Sequence, residues 1–120
     1  MFERIISLID KDNVEKINKT NILVLGVGGV GGYAIETLVR TGIENITIVD
    51  YDKIDISNIN RQIIATKDNI GNYKVDEFKK RILSINNNVK ITIIKEKITK
   101  DNLNILFQNN YDFIIDACDT

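Results

Sequence analysis

Residues 22–32 read ILVLGVGGVGG, and the fold turns on how this stretch is read. A short apolar run, Ile22 to Leu25, breaks into glycines, and helix-compatible sequence follows from about Val30. A strand that turns through glycine into a helix aims backbone N–H groups at a phosphate seated on the helix N-terminus. Gly26, Gly28 and Gly31 fit the GxGxxG pattern, and Asp50 stands nineteen residues beyond Gly31, where a ribose-binding acid is expected. A nucleotide is the first expectation. An ordinary NAD-binding domain and a merely structural turn both remain open at this point.

Working outward, Asn21–Gly26 is expected as a first strand, apolar throughout as a strand buried on both faces should be. Gly29–Thr41 is the first helix after it, with Val30, Ala34, Leu38 and Thr41 as its buried stripe and Gly42 as its stop. Upstream, residues 3–18 place Ile5, Leu8, Ile9, Val14 and Ile17 at roughly helical spacing, which predicts one or two short helices interrupted near Asp10–Asn13. Downstream, Asn45–Asp50 is a second strand ending on an acid. Residues 51–72 then run without a sustained period, and a segment that long inside a compact domain is usually functional. Asn72 is placed to cap a helix from Tyr73 to about Ile85, with Val75, Phe78, Ile82 and Ile85 inward. Val89–Ile94 is a third strand, Lys100–Gln108 a short helix and Tyr111–Ala117 a fourth strand. Strands alternating with helices at this spacing predict a Rossmann-like, doubly wound α/β fold: four parallel strands with helices on both faces. The division expected is an N-terminal helical segment, 1–20, and a nucleotide-binding domain, 21–120, cut short on its C-terminal side.

Composition narrows the chemistry. The 120 residues carry a net charge of −1, with 43% apolar and 28% charged residues, ordinary for a soluble globular domain. There is no basic footprint for nucleic acid in the chain as a whole. No histidine is present, which removes Ser-His-Asp catalysis and His-ligated metals from these residues. Cys118 stands alone, so no intramolecular disulfide or Cys-rich zinc site is available. No apolar run approaches the ~18 residues of a membrane span, and no signal-peptide pattern opens the chain, so it reads as cytoplasmic.

Several side chains separate ATP from NAD. Asp52 follows Asp50 by two residues; NAD does not require it, and a solvated loop acid is an equal reading. The stretch Ser57–Gln62, SNINRQ, puts Arg61 with Ser57, Asn58 and Asn60 in the long loop. Arginine's planar fork suits a triphosphate and the charge that develops at an α-phosphate; an exposed loop arginine among turn-forming asparagines is the bland counterpart. Lys74 sits in the first turn of a helix, against the preference of the dipole, which suggests an anionic partner as readily as a solvated lysine. Asp116 and Asp119 close the fourth strand, which neighbours the first in the common doubly wound order. Asp119 is the better Mg²⁺ candidate, and Asp116 reads as a strand-ending acid bonded to main chain. Cys118 reads as a small packed residue. Acids for ribose and Mg²⁺, with cations for phosphates, describe an ATP site on a dinucleotide-type fold.

GVGGVGG, DYDKIDISNINRQI, GNYKVD and IDACDT, in that order, resemble the ThiF/MoeB/HesA superfamily, the ubiquitin-activating-enzyme fold, over residues 20–120. VRTGIENITIVD and NINRQI followed by Ala65–Thr66 are most similar to its tRNA threonylcarbamoyladenosine dehydratase branch. The resemblance implies ATP-dependent adenylation of a carboxylate, in that branch the threonyl carboxylate of the modified nucleoside, which then closes into a cyclic form. By position it implies Gly26, Gly28, Gly29 and Gly31 around the phosphates, with Gly29 approaching them, and Asp50 and Asp52 beside the ribose. It further implies Ser57, Asn58 and Arg61 at the triphosphate, Lys74 on phosphate oxygens and Asp119 on Mg²⁺. Arg61, Lys74 and Asp119 would be the catalytic set, and Arg4 would reach the site of a partner in a homodimer. The implied partners are a second copy and tRNA. The alternatives are activation of a ubiquitin-like sulfur-carrier protein's C-terminus, and a non-catalytic nucleotide-binding or dimerisation fragment. The acidic pI shows no RNA surface, although Lys74, Lys79, Lys80 and Arg81 cluster on or near one helix.

Overall fold

The computed structural model describes residues 11–118. It contains helix α1 (Lys11–Lys19), strand β1 (Asn21–Leu25), helix α2 (Gly29–Thr41), strand β2 (Asn45–Val49), a 3₁₀ turn (Ile56–Asn58), helix α3 (Lys74–Ile85), strand β3 (Lys90–Ile94), helix α4 (Lys100–Leu106) and strand β4 (Phe113–Asp116). The sheet is parallel throughout, in the order β3-β2-β1-β4. This is the expected Rossmann-like α/β fold, with β4 directly beside β1.

The strand pleat sorts the core into two layers. Ile22 and Val24 of β1, with Ile46 and Ile48 of β2, meet Ile35 and Val39 of α2 and Val75, Phe78 and Ile82 of α3. Leu23, Leu25 and Val49 point the other way, onto Leu106 and Leu103 of α4. Helices therefore cover both faces, and β1 is apolar at Ile22–Leu25 because both of its faces are buried. At the outer edge, Phe113 of β4 remains 64% exposed.

Three local expectations need correction. The buried stripe of α2 is Gly31, Gly32, Ile35 and Val39, with Leu38 packed partly buried beside it, rather than Val30, Ala34, Leu38 and Thr41. Val30 is 77% exposed. The two stripes are adjacent on the helix, and the glycines decide between them. A Cβ on Gly31 would lie 2.1 Å from the Gly26 carbonyl oxygen, and one on Gly32 would lie 2.8 Å from Phe78 Cζ. The helix thus presses its bare face onto the sheet. Secondly, α1 runs unbroken from Lys11 to Lys19, through Asp12 and Asn13; Asp10 lies outside the described residues. Thirdly, Asn72 does not cap α3. The cap position is Tyr73, extended and without a side-chain cap. The Lys74 amide instead donates to the Asp52 carbonyl at 3.1 Å, because a bridge pairs Lys53 with Tyr73 antiparallel. Strand and helix ends otherwise fall within about two residues of expectation, the usual fraying.

One ion-pair network ties α2 to α3. Arg81 Nε and Nη2 donate to the two Glu36 carboxylate oxygens, each at 2.9 Å, and Arg40 Nη2 reaches the same carboxylate at 2.9 Å. The Arg81 hydrogen bonds hold the Glu36 carboxyl below its ordinary value against the opposing effect of burial, and Arg40 adds to this. The Arg81 guanidinium is raised in turn, chiefly by its bond to Glu36.

Candidate nucleotide-binding site

The C-terminal edge of the sheet brings the ends of β1, β2 and β4 level. The Gly26 amide donates to Val49 O at 2.9 Å, and the Ala117 amide to Leu25 O at 2.8 Å. Gly26 turns with φ of 89°, and a Cβ there would meet the Ala117 carbonyl oxygen at 2.8 Å. That position takes glycine for both its conformation and its closeness to β4. Gly31 serves helix–strand packing, as the 2.1 Å approach shows. Gly28 and Gly29 are less crowded: the nearest atoms to a Cβ are Gln62 Nε2 and Arg61 O, each at 3.8 Å. The 56–62 segment therefore passes over the glycine turn.

Asp50 fastens this turn to the end of β2. Its Oδ2 accepts from the Val27 amide at 2.9 Å and its Oδ1 from the Asp52 amide at 2.7 Å. A carboxylate oxygen has two lone-pair sites, so both oxygens retain capacity for a hydroxyl donor.

A cavity of about 250 Å³ opens here, lined by Gly26, Gly28, Asp50, Asp52, Gln62 and Lys74, with Glu96–Ile98, Ala117 and Cys118 across from them. Lys74 is the first residue of α3 and is only 6% exposed. Among the described residues, no carboxylate forms an ion pair with it. Lys74 thus lines the cavity with no ion-pair partner among the described residues, and the pocket carries a positive charge that an anionic ligand would satisfy.

Gln62 was not singled out by sequence reasoning, although it ends the SNINRQ stretch. It is 8% exposed, and its Oε1 has no hydrogen-bond partner. A glutamine in a polar loop carries no periodic or spacing signal; only its burial in the tertiary structure marks it.

The remaining expected residues are placed differently. Asn58 is buried as part of a cap, with Oδ1 accepting from the Asp55 amide at 2.8 Å. Ser57 Oγ donates to Asp55 Oδ2 at 3.0 Å. Exposed Arg61 folds back through Nη1 onto Ser57 O at 2.6 Å and Asn60 Oδ1 at 3.3 Å. None of these three lines the cavity, nor do Gly29 and Gly31. Asp116 is bonded to main chain, accepting from the Cys118 amide at 3.2 Å. Arg4 and Asp119 lie outside the described residues. Among the described residues, no three His, Cys, Asp or Glu side chains gather as metal ligands.

The family model described as "ThiF family" matches residues 2–120. The chain belongs to the ThiF family. The tRNA threonylcarbamoyladenosine dehydratase of Bacillus subtilis is 40% identical to this ThiF-family chain over 112 residues, 93% of the chain and 44% of the relative. SUMO-activating enzyme subunit 2 of Dictyostelium discoideum is 35% identical over 118 residues, covering 98% of the chain and 18% of that protein. The crystal structure of the Escherichia coli tRNA N6-threonylcarbamoyladenosine dehydratase in complex with ATP superposes with a TM-score of 0.95 at 36% identity, over 99% of the chain and 49% of the solved one. The chain thus spans about half the length of the dehydratases it matches.

Proposed function

We propose that this chain is the ATP-binding part of an enzyme that adenylates the carboxylate of threonylcarbamoyladenosine in tRNA, leading to its cyclisation. The observation that carries the reading is Lys74, buried in the pocket beside the glycine turn and unanswered by any carboxylate among the described residues. The unpartnered Gln62 Oε1 beside it supports a polar occupant. Similarity to a solved dehydratase in complex with ATP supports ATP as that occupant.

In this reading each residue has a task. The turn at Gly28 and Gly29 gives backbone donors room to approach phosphate oxygens. Asp50, already fixed by two amides, accepts from the ribose, with Asp52 behind it. Lys74 holds a phosphate oxygen in a site where few waters compete, so its charge acts at low dielectric as negative charge develops at the α-phosphate. Arg61, with Ser57 and Asn58 at the loop's 3₁₀ turn, joins the triphosphate by swinging from its Ser57 contact, an exposed bond that costs little to break. Asp119 would hold Mg²⁺, which supplies charge neutralisation of the phosphates when bound, and Arg4 would act in a homodimer partner's site. The setting is cytoplasmic.

Calorimetry tests the ligand: Mg·ATP binding more tightly than NADH supports adenylation, and the reverse order overturns it. Release of AMP and pyrophosphate stimulated by modified tRNA identifies the substrate. Similarity to a SUMO-activating enzyme subunit favours a second reading, activation of a ubiquitin-like carrier protein's C-terminus. Pyrophosphate exchange driven by such a carrier, and not by tRNA, would decide for it.

A further inference from the structure

The Lys53–Tyr73 bridge separates the nucleotide pocket from a second concavity. Asp52 and Lys74 line the pocket, whereas Lys53 and Tyr73, their immediate chain neighbours, line an open groove of about 590 Å³ along the start of α3. Lys79 and Lys80 line it as well. Lys53 Nζ stands 5.2 Å from the Tyr73 ring centroid, and Lys95 Nζ stands 4.7 Å from the same centroid.

Two acids also line the groove, each with a lysine at ion-pair distance. Asp76 pairs with Lys95 at 2.9 Å, and the largely buried Glu77 has Lys80 Nζ 3.0 Å from an Oε2 that makes no hydrogen bond. Lys53 and Lys79 are exposed and form no ion pair among the described residues. The groove therefore presents a local excess of positive charge on a chain whose net charge is −1. The exposed Asp76–Lys95 pair contributes little, so Lys95 can turn to a stronger anion at small cost, whereas the largely buried Glu77 carboxylate keeps Lys80 in place.

We propose that this groove carries the phosphate backbone flanking the nucleotide whose carboxylate enters the pocket. The proposal rests on the tRNA reading above and adds the surface by which the RNA is held. The groove borders the pocket across one two-residue bridge, so an RNA strand leaving the reacting nucleotide has lysines beside it at once. Lysine suits this task as a mobile point charge for phosphate oxygens. Such contacts position RNA without reading its sequence.

The test is fluorescence anisotropy with labelled tRNA and the chain as a Lys53→Glu/Lys79→Glu double variant. A Lys19→Glu/Lys100→Glu variant controls for net charge, since both of its lysines are exposed and neither lines the groove. Mg·ATP binding and the thermal transition are measured on each protein. Loss of two phosphate contacts should weaken tRNA binding about tenfold and flatten the salt dependence by about two counterions. Mg·ATP affinity should hold, and the control should keep wild-type tRNA affinity. The groove assignment is overturned if the groove variant binds tRNA like wild type, or if both variants weaken equally. It is also overturned if an acidic carrier protein, rather than tRNA, loses affinity in the groove variant. Wild-type protein that binds Mg·ATP but no tRNA would instead remove the tRNA reading, and this inference with it.

Discussion

The glycine turn at 26–32 and the loop at 50–73 wall the same pocket, but opposite means hold them. The turn is fixed by what it lacks: Gly26, Gly31 and Gly32 each stand where a Cβ would meet another atom at 2.8 Å or less. The loop is fixed by what its side chains do. Asp55 and Asn58 form a reciprocal cap on the 3₁₀ turn, and Asn69 accepts from the Thr66 amide while donating to Ile64 O. Sterics thus set one wall and local hydrogen bonds the other. The first admits no side chain at Gly26 or Gly31 without moving backbone, whereas the second fails by increments.

Replacing Gly31 with alanine should have the largest effect, about 3 kcal/mol or more of lost stability, since backbone rather than a flexible side chain fills the space. Gly71→Ala in the loop meets no atom within 4 Å and strains only φ, at 91°, so about 1 kcal/mol is expected. Equal urea midpoints for the two variants would abolish the contrast. Lys74→Met, between the regions, should weaken Mg·ATP binding by about 2 kcal/mol, an order of magnitude or more in Kd. The ligand-free protein should become no less stable, because no ion pair among the described residues is lost and the apolar stem is kept. A fall in both quantities would make Lys74 a structural residue. Asn58→Ala should cost about 1–2 kcal/mol by leaving the buried end of the loop's cap unmade. That loss should appear in thermal melts before any change in nucleotide affinity.

The smallest effect concerns the pair that ties the helix after the turn to the helix after the loop. Arg81→Met should cost about 1 kcal/mol at neutral pH, the scale of a partly exposed carboxylate–guanidinium contact. Its pH dependence gives a sharper check. Glu36 is held below its ordinary value of 4.5, so its stabilisation is full above that value and fades as pH falls through the lower folded one. The wild-type and variant stability curves should therefore converge in acid. Parallel curves would dissociate the Glu36 shift from Arg81.

The same contrast explains what the sequence made legible. Strand–glycine–helix spacing announced the fold because that turn depends on residue type alone, and alternating apolar runs gave the parallel sheet. The stripe on α2 was displaced by one position because apolar counting overlooks glycines as contact residues. Lys74, picked out by its conflict with the helix dipole, and Asp50, picked out by its distance to Gly31, both line the cavity. Gln62 was not, since burial is a tertiary property that no local pattern carries. Ser57, Asn58 and Arg61 shared one polar stretch with it, yet in the structure the first two form or support the loop's cap and the third folds back onto it.

The Lys53–Tyr73 bridge has a consequence for tolerated length variation. Neighbouring residues of an extended segment project to opposite sides, so Asp52 and Lys74 serve one concavity while Lys53 and Tyr73 serve the other. An extra residue at the exposed tip around Lys67 and Asp68 can bulge outward and leave this partition intact. An extra residue beside the bridge exchanges the two linings, turning Lys74 outward and Tyr73 inward. Insertions and deletions compatible with nucleotide binding should therefore concentrate at the tip and be absent from the two residues on either side of the bridge.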